Sequence, residues 1–167
     1  MKFEDTLTTL CRHHLWANLQ LLKCCAGLNR EQLDATMVGA FGSIYVTLVH
    51  ITNSERSYFS RISTGKRYDR PENATPMTLA EMEVSLRETG AGLIEWAPKI
   101  KPEDVVEVDW DGIPRATPKT ILLSQALFHA AEHREQIKSI LTQIGIEPPD
   151  LQGWEYFDRN FEFEQMG

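Results

Sequence analysis

The stretch 117–145, TPKTILLSQALFHAAEHREQIKSILTQIG, constrains the fold more than any other part of the chain. It predicts one long helix with marked ends. Thr117 can cap the N-terminus, Pro118 suits the first helical position, and Gly145 suits the left-handed residue past the C-terminus. At about 100° per residue, Leu122, Ala126, His129, His133, Ile137, Ile140 and Ile144 share one stripe. His129 and His133 therefore sit one turn apart on an apolar face. One histidine in such a place is commonly a core residue with a satisfied hydrogen bond. A second in register brings another polar ring that needs a partner. A pair so placed can bind one transition-metal ion if other elements supply the remaining ligands.

Two further helices carry polar residues on or near their apolar sides. The first is expected from about Phe3 to Leu28, with a stripe of Phe3, Leu7, Leu10, His14, Ala17, Leu21, Cys25 and Leu28. His14 lies in that stripe, as a candidate ligand or proton carrier or as a pocket-lining residue, and Asn18 lies beside it. His13 points elsewhere, and Trp16 faces another element or a second subunit. The second helix is expected to open at Gly42-Ser43 and run to about Ser63, with a stripe of Ile44, Leu48, Ile51, Glu55, Phe59 and Ile62. Here the pattern nominates Glu55, on the apolar side, as readily as His50, at its edge. A carboxylate there can be a ligand, an acceptor for a histidine N–H, or half of an internal ion pair.

Between these two helices, Arg30 to Leu33 reads as a short helical turn. Thr78 and Glu81 form a capping box opening a third long helix that ends near Trp96; Gly90 and Gly92 within it permit close packing or a kink. Val105, Val106, Val108 and Trp110 are strand formers, followed by the turn signal Asp111-Gly112 and by Ile113 to Ala116, so a β-hairpin is expected before the fourth helix. After IEPPD, Asp150 is expected to cap a last helix holding Leu151, Trp154, Phe157 and Phe161, an aromatic and acidic segment. The expected architecture is all-α: one domain over 1–167, a four-helix bundle with a short hairpin and an aromatic C-terminal segment.

The net charge of −7, with no Lys/Arg cluster, argues against nucleic acid as a partner. No apolar run is long enough to span a bilayer, and the acid-bearing N-terminus lacks a signal peptide's apolar core, so the cytoplasm is the expected location. Cys11, Cys24 and Cys25, an odd number on one helix, do not make a disulfide framework; small buried residues are the favoured reading over a thiol site. A dinuclear iron site needs Glu-x-x-His pairs, and no such pair ends at His129 or His133.

Several short motifs recur in a fixed order. Leu15-Trp16-Ala17-Asn18 comes first, then Gly42-Ser43-Ile44 with Thr47-Leu48-Val49-His50-Ile51. His129-x-x-x-His133-Arg134-x-Gln136-Ile137 follows, and then Leu141, Gly145, Pro148, Pro149, Asp150 and Trp154-x-Tyr156. This ordered set resembles the DinB/YfiT family. The resemblance implies a four-helix bundle holding a divalent metal, zinc or nickel, on His50, His129 and His133, and so prefers His50 to Glu55 as the third ligand. Glu55, Glu132 and His14 then stand as candidate catalytic or pocket residues, with Asn18 beside them, and Arg134 and Gln136 as structural ones. Glu135 departs from the family's usual Gly, and Glu132 stands where many members have another His; both add acid near the site.

Three imidazoles with an open fourth position match catalytic rather than structural zinc. The resemblance further implies a metal-dependent hydrolase or a low-molecular-weight-thiol S-transferase acting on a small-molecule substrate. The alternative is a non-catalytic, stress-linked metal-binding protein. A homodimer is expected from Trp16 and the aromatic tail.

Overall fold

Short polar side chains set most helix starts, because each accepts a backbone N–H that the first turn leaves without a partner. In the computed structural model, which describes residues 4–69, 75–110 and 112–160, Asp5 caps helix α1 (Thr6–Cys25), its Oδ1 accepting the Thr8 N–H at 3.0 Å. Asn29 and Gln32 cap each other's backbone around α2 (Arg30–Leu33). Ser43 caps α3 (Ile44–Thr64), and the Thr78–Glu81 capping box opens α4 (Leu79–Trp96) as the sequence predicts. A 3-10 turn at Ala97–Lys99 leads to strands β1 (Val105–Trp110) and β2 (Ile113–Pro118), then to α5 (Lys119–Gln143) and α6 (Gly153–Asn160). The described residues are thus mostly helical, with six helices and one antiparallel hairpin. No described helix is long and apolar enough to cross a membrane.

The long helix starts differently from the sequence expectation. Thr117 does not cap α5; it remains in β2 opposite Val106, and Pro118 takes the N-cap position with no side-chain bond. The strand persists because the Lys119 N–H, which a side-chain cap would have satisfied, finds the Asp104 carbonyl at 2.8 Å. Gly145 sits past the far end with φ +77°, the left-handed conformation anticipated for it. At the chain's C-terminal side, Asp150 accepts the Gln152 N–H at 2.9 Å in a turn that precedes α6. Phe3, Asp111 and Phe161, each named in the sequence reading, lie outside the described residues.

Helix α3 packs against α4 and α5, and α1 packs against the same two. One apolar cluster gathers Ala17, Leu21, Leu48, Met82, Ile137 and Leu141. Another gathers Cys11, Ile62, Leu93, Val106, Val108 and Leu122, so the hairpin's inward valines cover that part of the core. Val105 and Glu107 alternate with them toward solvent, the period-2 signature of a half-buried strand. Leu10, expected in the buried stripe of α1, is 49% exposed, and Cys11 takes its place inside. Burial pushes the Cys11 and Cys25 thiols up to about 11 and about 12, which removes them as nucleophiles near neutral pH. Trp16 packs against Tyr156 of α6 and against His13, whose Nε2–H donates to the Leu151 carbonyl at 2.7 Å.

One close contact between α1 and α4 depends on a missing side chain. A Cβ on Gly90 would lie 2.6 Å from Leu15 Cδ1 and 3.1 Å from Leu15 Cβ, so α1 occupies the space an alanine would need. Gly90→Ala gains helix propensity of ~1 kcal/mol but overpacks the α1–α4 seam at a cost of ~1–3 kcal/mol. Its melting temperature is expected to fall below that of wild type. Gly153→Ala, with open space around it, is expected to stay within about 0.5 kcal/mol in the same thermal unfolding measurement.

Candidate metal centre

Burial on α5 centres on Leu122, Ala126, Ala130, Arg134, Ile137 and Leu141, which turns His129 and His133 to one shoulder of that face. On α3 the centre of the buried face is Ile44, Leu48, Ile51 and Glu55, with His50 at the edge. Where α3 and α5 pack, edge meets shoulder, and the three histidines converge. One ring nitrogen from each of His50, His129 and His133 lies within 4.8 Å of the other two. The Nε2 atoms of His50 and His129 are 2.8 Å apart, and all three ring centroids are separated by 4.5–4.7 Å. This geometry, absent from either helix taken alone, brings His50 rather than Glu55 to the pair on α5.

Three aromatic and amide neighbours frame the rings. Phe41 stacks on His50 with centroids 4.0 Å apart and planes 21° apart, and meets His133 edge-on at 5.2 Å. Tyr58 meets His129 edge-on at 5.9 Å. Gln136 Oε1 accepts the Phe41 backbone N–H at 3.0 Å and lies 3.0 Å from His133 Nδ1. Gln136 carries a sequence signal, since it follows His133 by three residues on the same helix face. Phe41 carries none, because it lies in an irregular connection without periodicity.

The electrostatics suit a cation ligand set. Burial pushes His129 down to about 4, with His133 and His50 adding to the effect. Burial, followed by the nearby His133, also lowers His50. Neutral imidazoles present lone pairs, the form in which histidine binds metal. No carboxylate joins the group among the described residues. A tetrahedral ion with Zn–N bonds of ~2.0–2.1 Å needs nitrogens ~3.3 Å apart. Modest ring adjustments from the observed 2.8 Å pair reach that spacing, so the three residues fit one first-row ion.

The remaining candidates are placed elsewhere. Glu55 and His14 bond to each other, at 2.8 Å between Oε2 and Nε2. The same Glu55 oxygen accepts from Asn18 Nδ2 at 2.8 Å, and the other accepts from the Thr89 hydroxyl. Arg134 Nη1 donates to Asn18 Oδ1 at 2.6 Å. All five side chains are buried. Burial lowers the Arg134 guanidinium to about 10, against the pull of Glu55 and Glu135, so it stays charged near pH 7 and offsets the Glu55 carboxylate. Glu132 stands on the exposed side of α5, as does Glu135, which pairs with Lys138 at 2.9 Å.

Glu55→Ala removes the buried acceptor shared by His14, Asn18 and Thr89 and one of the two carboxylates that act on Arg134, and is expected to lose ~3–5 kcal/mol in denaturant unfolding. As pH falls, the unfolded chain protonates its histidines near 6.5, before folded His129 does near 4. Stability from His129 is therefore intact above pH 6.5 and is lost as pH falls toward about 4. The metal-free wild type is expected to drop further in melting temperature over this interval than His129→Asn, which cannot titrate there.

Comparison with curated proteins returns no match. A family model described as the DinB family matches residues 3–164, nearly the whole chain. This chain belongs to the DinB family.

Proposed function

We propose that this chain is a metal-dependent enzyme built as a single four-helix-bundle domain. In this reading His50, His129 and His133 hold one divalent ion, zinc or nickel. The reaction is hydrolysis of a small molecule or transfer of a low-molecular-weight thiol to one. The observation that carries this reading is the approach of three imidazole ring nitrogens to within 4.8 Å of one another, with no fourth protein ligand among the described residues. Structural zinc sites close their shell with four protein ligands, whereas three leave a position for a reactant. When bound, such an ion supplies a water acidified to a pKa of ~7 or a coordinated thiolate.

The chain's own residues would do the rest. The three imidazoles add no negative charge, so the full positive charge would face the reactant. Phe41 and Tyr58 wall two sides of the rings and limit water there. Glu55 and His14 hold the interior together instead of touching the site, and Glu132 faces solvent. A homodimer is part of the reading. Trp16 no longer supports it, since its partners are in its own chain, but Trp154, 78% exposed, does.

Elemental analysis of the purified protein tests the site. About one zinc or nickel per chain is expected, falling at least about tenfold in occupancy in His129→Ala while far-UV circular dichroism is retained. A metal-free protein that cannot be reloaded would contradict the reading. The loaded protein is then expected to consume a low-molecular-weight thiol with an electrophile, or to hydrolyse a small ester or amide. A loaded protein inert to such a panel would favour the non-catalytic metal-binding alternative.

A further inference from the structure

We infer that Gln136 is a positioning residue: its side-chain oxygen selects the tautomer of His133 and pins Phe41 over His50, so that ligand and aromatic wall form one unit. The inference rests on the reading of His133 as a metal ligand.

One group at Gln136 has a fixed hydrogen-bonding role. A backbone N–H can only donate, and the Phe41 N–H points at Gln136 at 3.0 Å, so the atom it meets is the amide oxygen. An amide oxygen can only accept. His133 Nδ1, 3.0 Å from the same oxygen, must therefore carry the hydrogen. A neutral imidazole has a single N–H, so Nε2 of His133 is left with its lone pair free. That is the nitrogen available to an ion shared with His50 and His129. Both lone pairs of the Gln136 oxygen are used, one for each donor.

The second bond has its own consequence. Phe41 is 51% exposed and belongs to the irregular connection between α2 and α3, so burial alone does not hold its ring. Its backbone bond to Gln136 ties that connection to α5 beside His133. The ring then stacks on His50 at 4.0 Å. Loss of the oxygen would release both the tautomer and the wall. A mere staple for the connection would affect only Phe41, which gives the test its contrast.

The test uses metal-free protein with 15N-labelled histidine and long-range 1H–15N correlation spectra near pH 7. Zinc affinity is measured alongside by competition with a chromophoric chelator. Wild type is expected to show His133 as the Nδ1–H tautomer. Gln136→Leu, and Gln136→Asn, whose oxygen is withdrawn by one carbon, are expected to shift His133 toward Nε2–H and to weaken zinc binding by ~10–100-fold. Gln136→Glu keeps an acceptor at the same reach. It is expected to keep the tautomer, with zinc affinity no more than ~3-fold weaker than wild type. The inference is overturned if His133 stays Nδ1–H in both the Leu and Asn variants, or if the Glu variant behaves as they do. Expected tautomers in a wild type that binds no zinc would uphold Gln136 and remove the metal reading. Tight zinc binding with unmoved tautomers would do the reverse.

Discussion

A buried carboxyl group ties together the four long helices among the described residues, α1, α3, α4 and α5. Glu55 on α3 takes donors from His14 and Asn18 on α1 and from Thr89 on α4, while Arg134 on α5 reaches it through the Asn18 amide. A charge in the interior costs several kcal/mol unless paired and hydrogen-bonded, so these helices are not free to turn about their axes. Fixing Arg134 inward fixes its neighbours too. At about 100° per residue, His133 and His129 lie about 100° and 140° round α5 from Arg134, on the same side. His50 lies about 140° round α3 from Glu55. The polar cluster thus aims three rings that it does not touch.

The two polar groups divide the work by charge. The interior cluster joins the Glu55 carboxyl to donors on α1 and α4 and, through Asn18, to the Arg134 guanidinium, and its value is in orientation more than in net stability. The histidine group holds no carboxylate among the described residues, and burial disfavours imidazolium at His50 and His129. A cation entering that group meets lone pairs without displacing a salt bridge. Gln136 and Phe41 extend this arrangement outward, from the helix to the connection above it.

Much of this was legible in the sequence, for reasons local to each element. The short turn at Arg30–Leu33, the Thr78–Glu81 capping box, the hairpin and the left-handed Gly145 all rest on contacts a few residues apart. The choice between His50 and Glu55 did not rest on such contacts. Periodicity shows which side of one helix is apolar but not which neighbour covers its edge. Only the ordered motifs shared with the DinB family pointed to His50. Thr117 misled for a related reason, since a distant carbonyl, that of Asp104, had already taken the N–H that a cap would serve. Phe41 was invisible because a connection without regular structure has no period to read.

The central proposal is that three imidazoles, joined by no other protein group among the described residues, hold one ion at this edge. X-ray absorption at the metal edge of the loaded protein measures that shell directly. Three imidazole nitrogens at ~2.0–2.1 Å are expected, with the remaining scatterers being light oxygen atoms from solvent. A sulfur shell at ~2.3 Å, or a fit with fewer than three imidazoles, would contradict it.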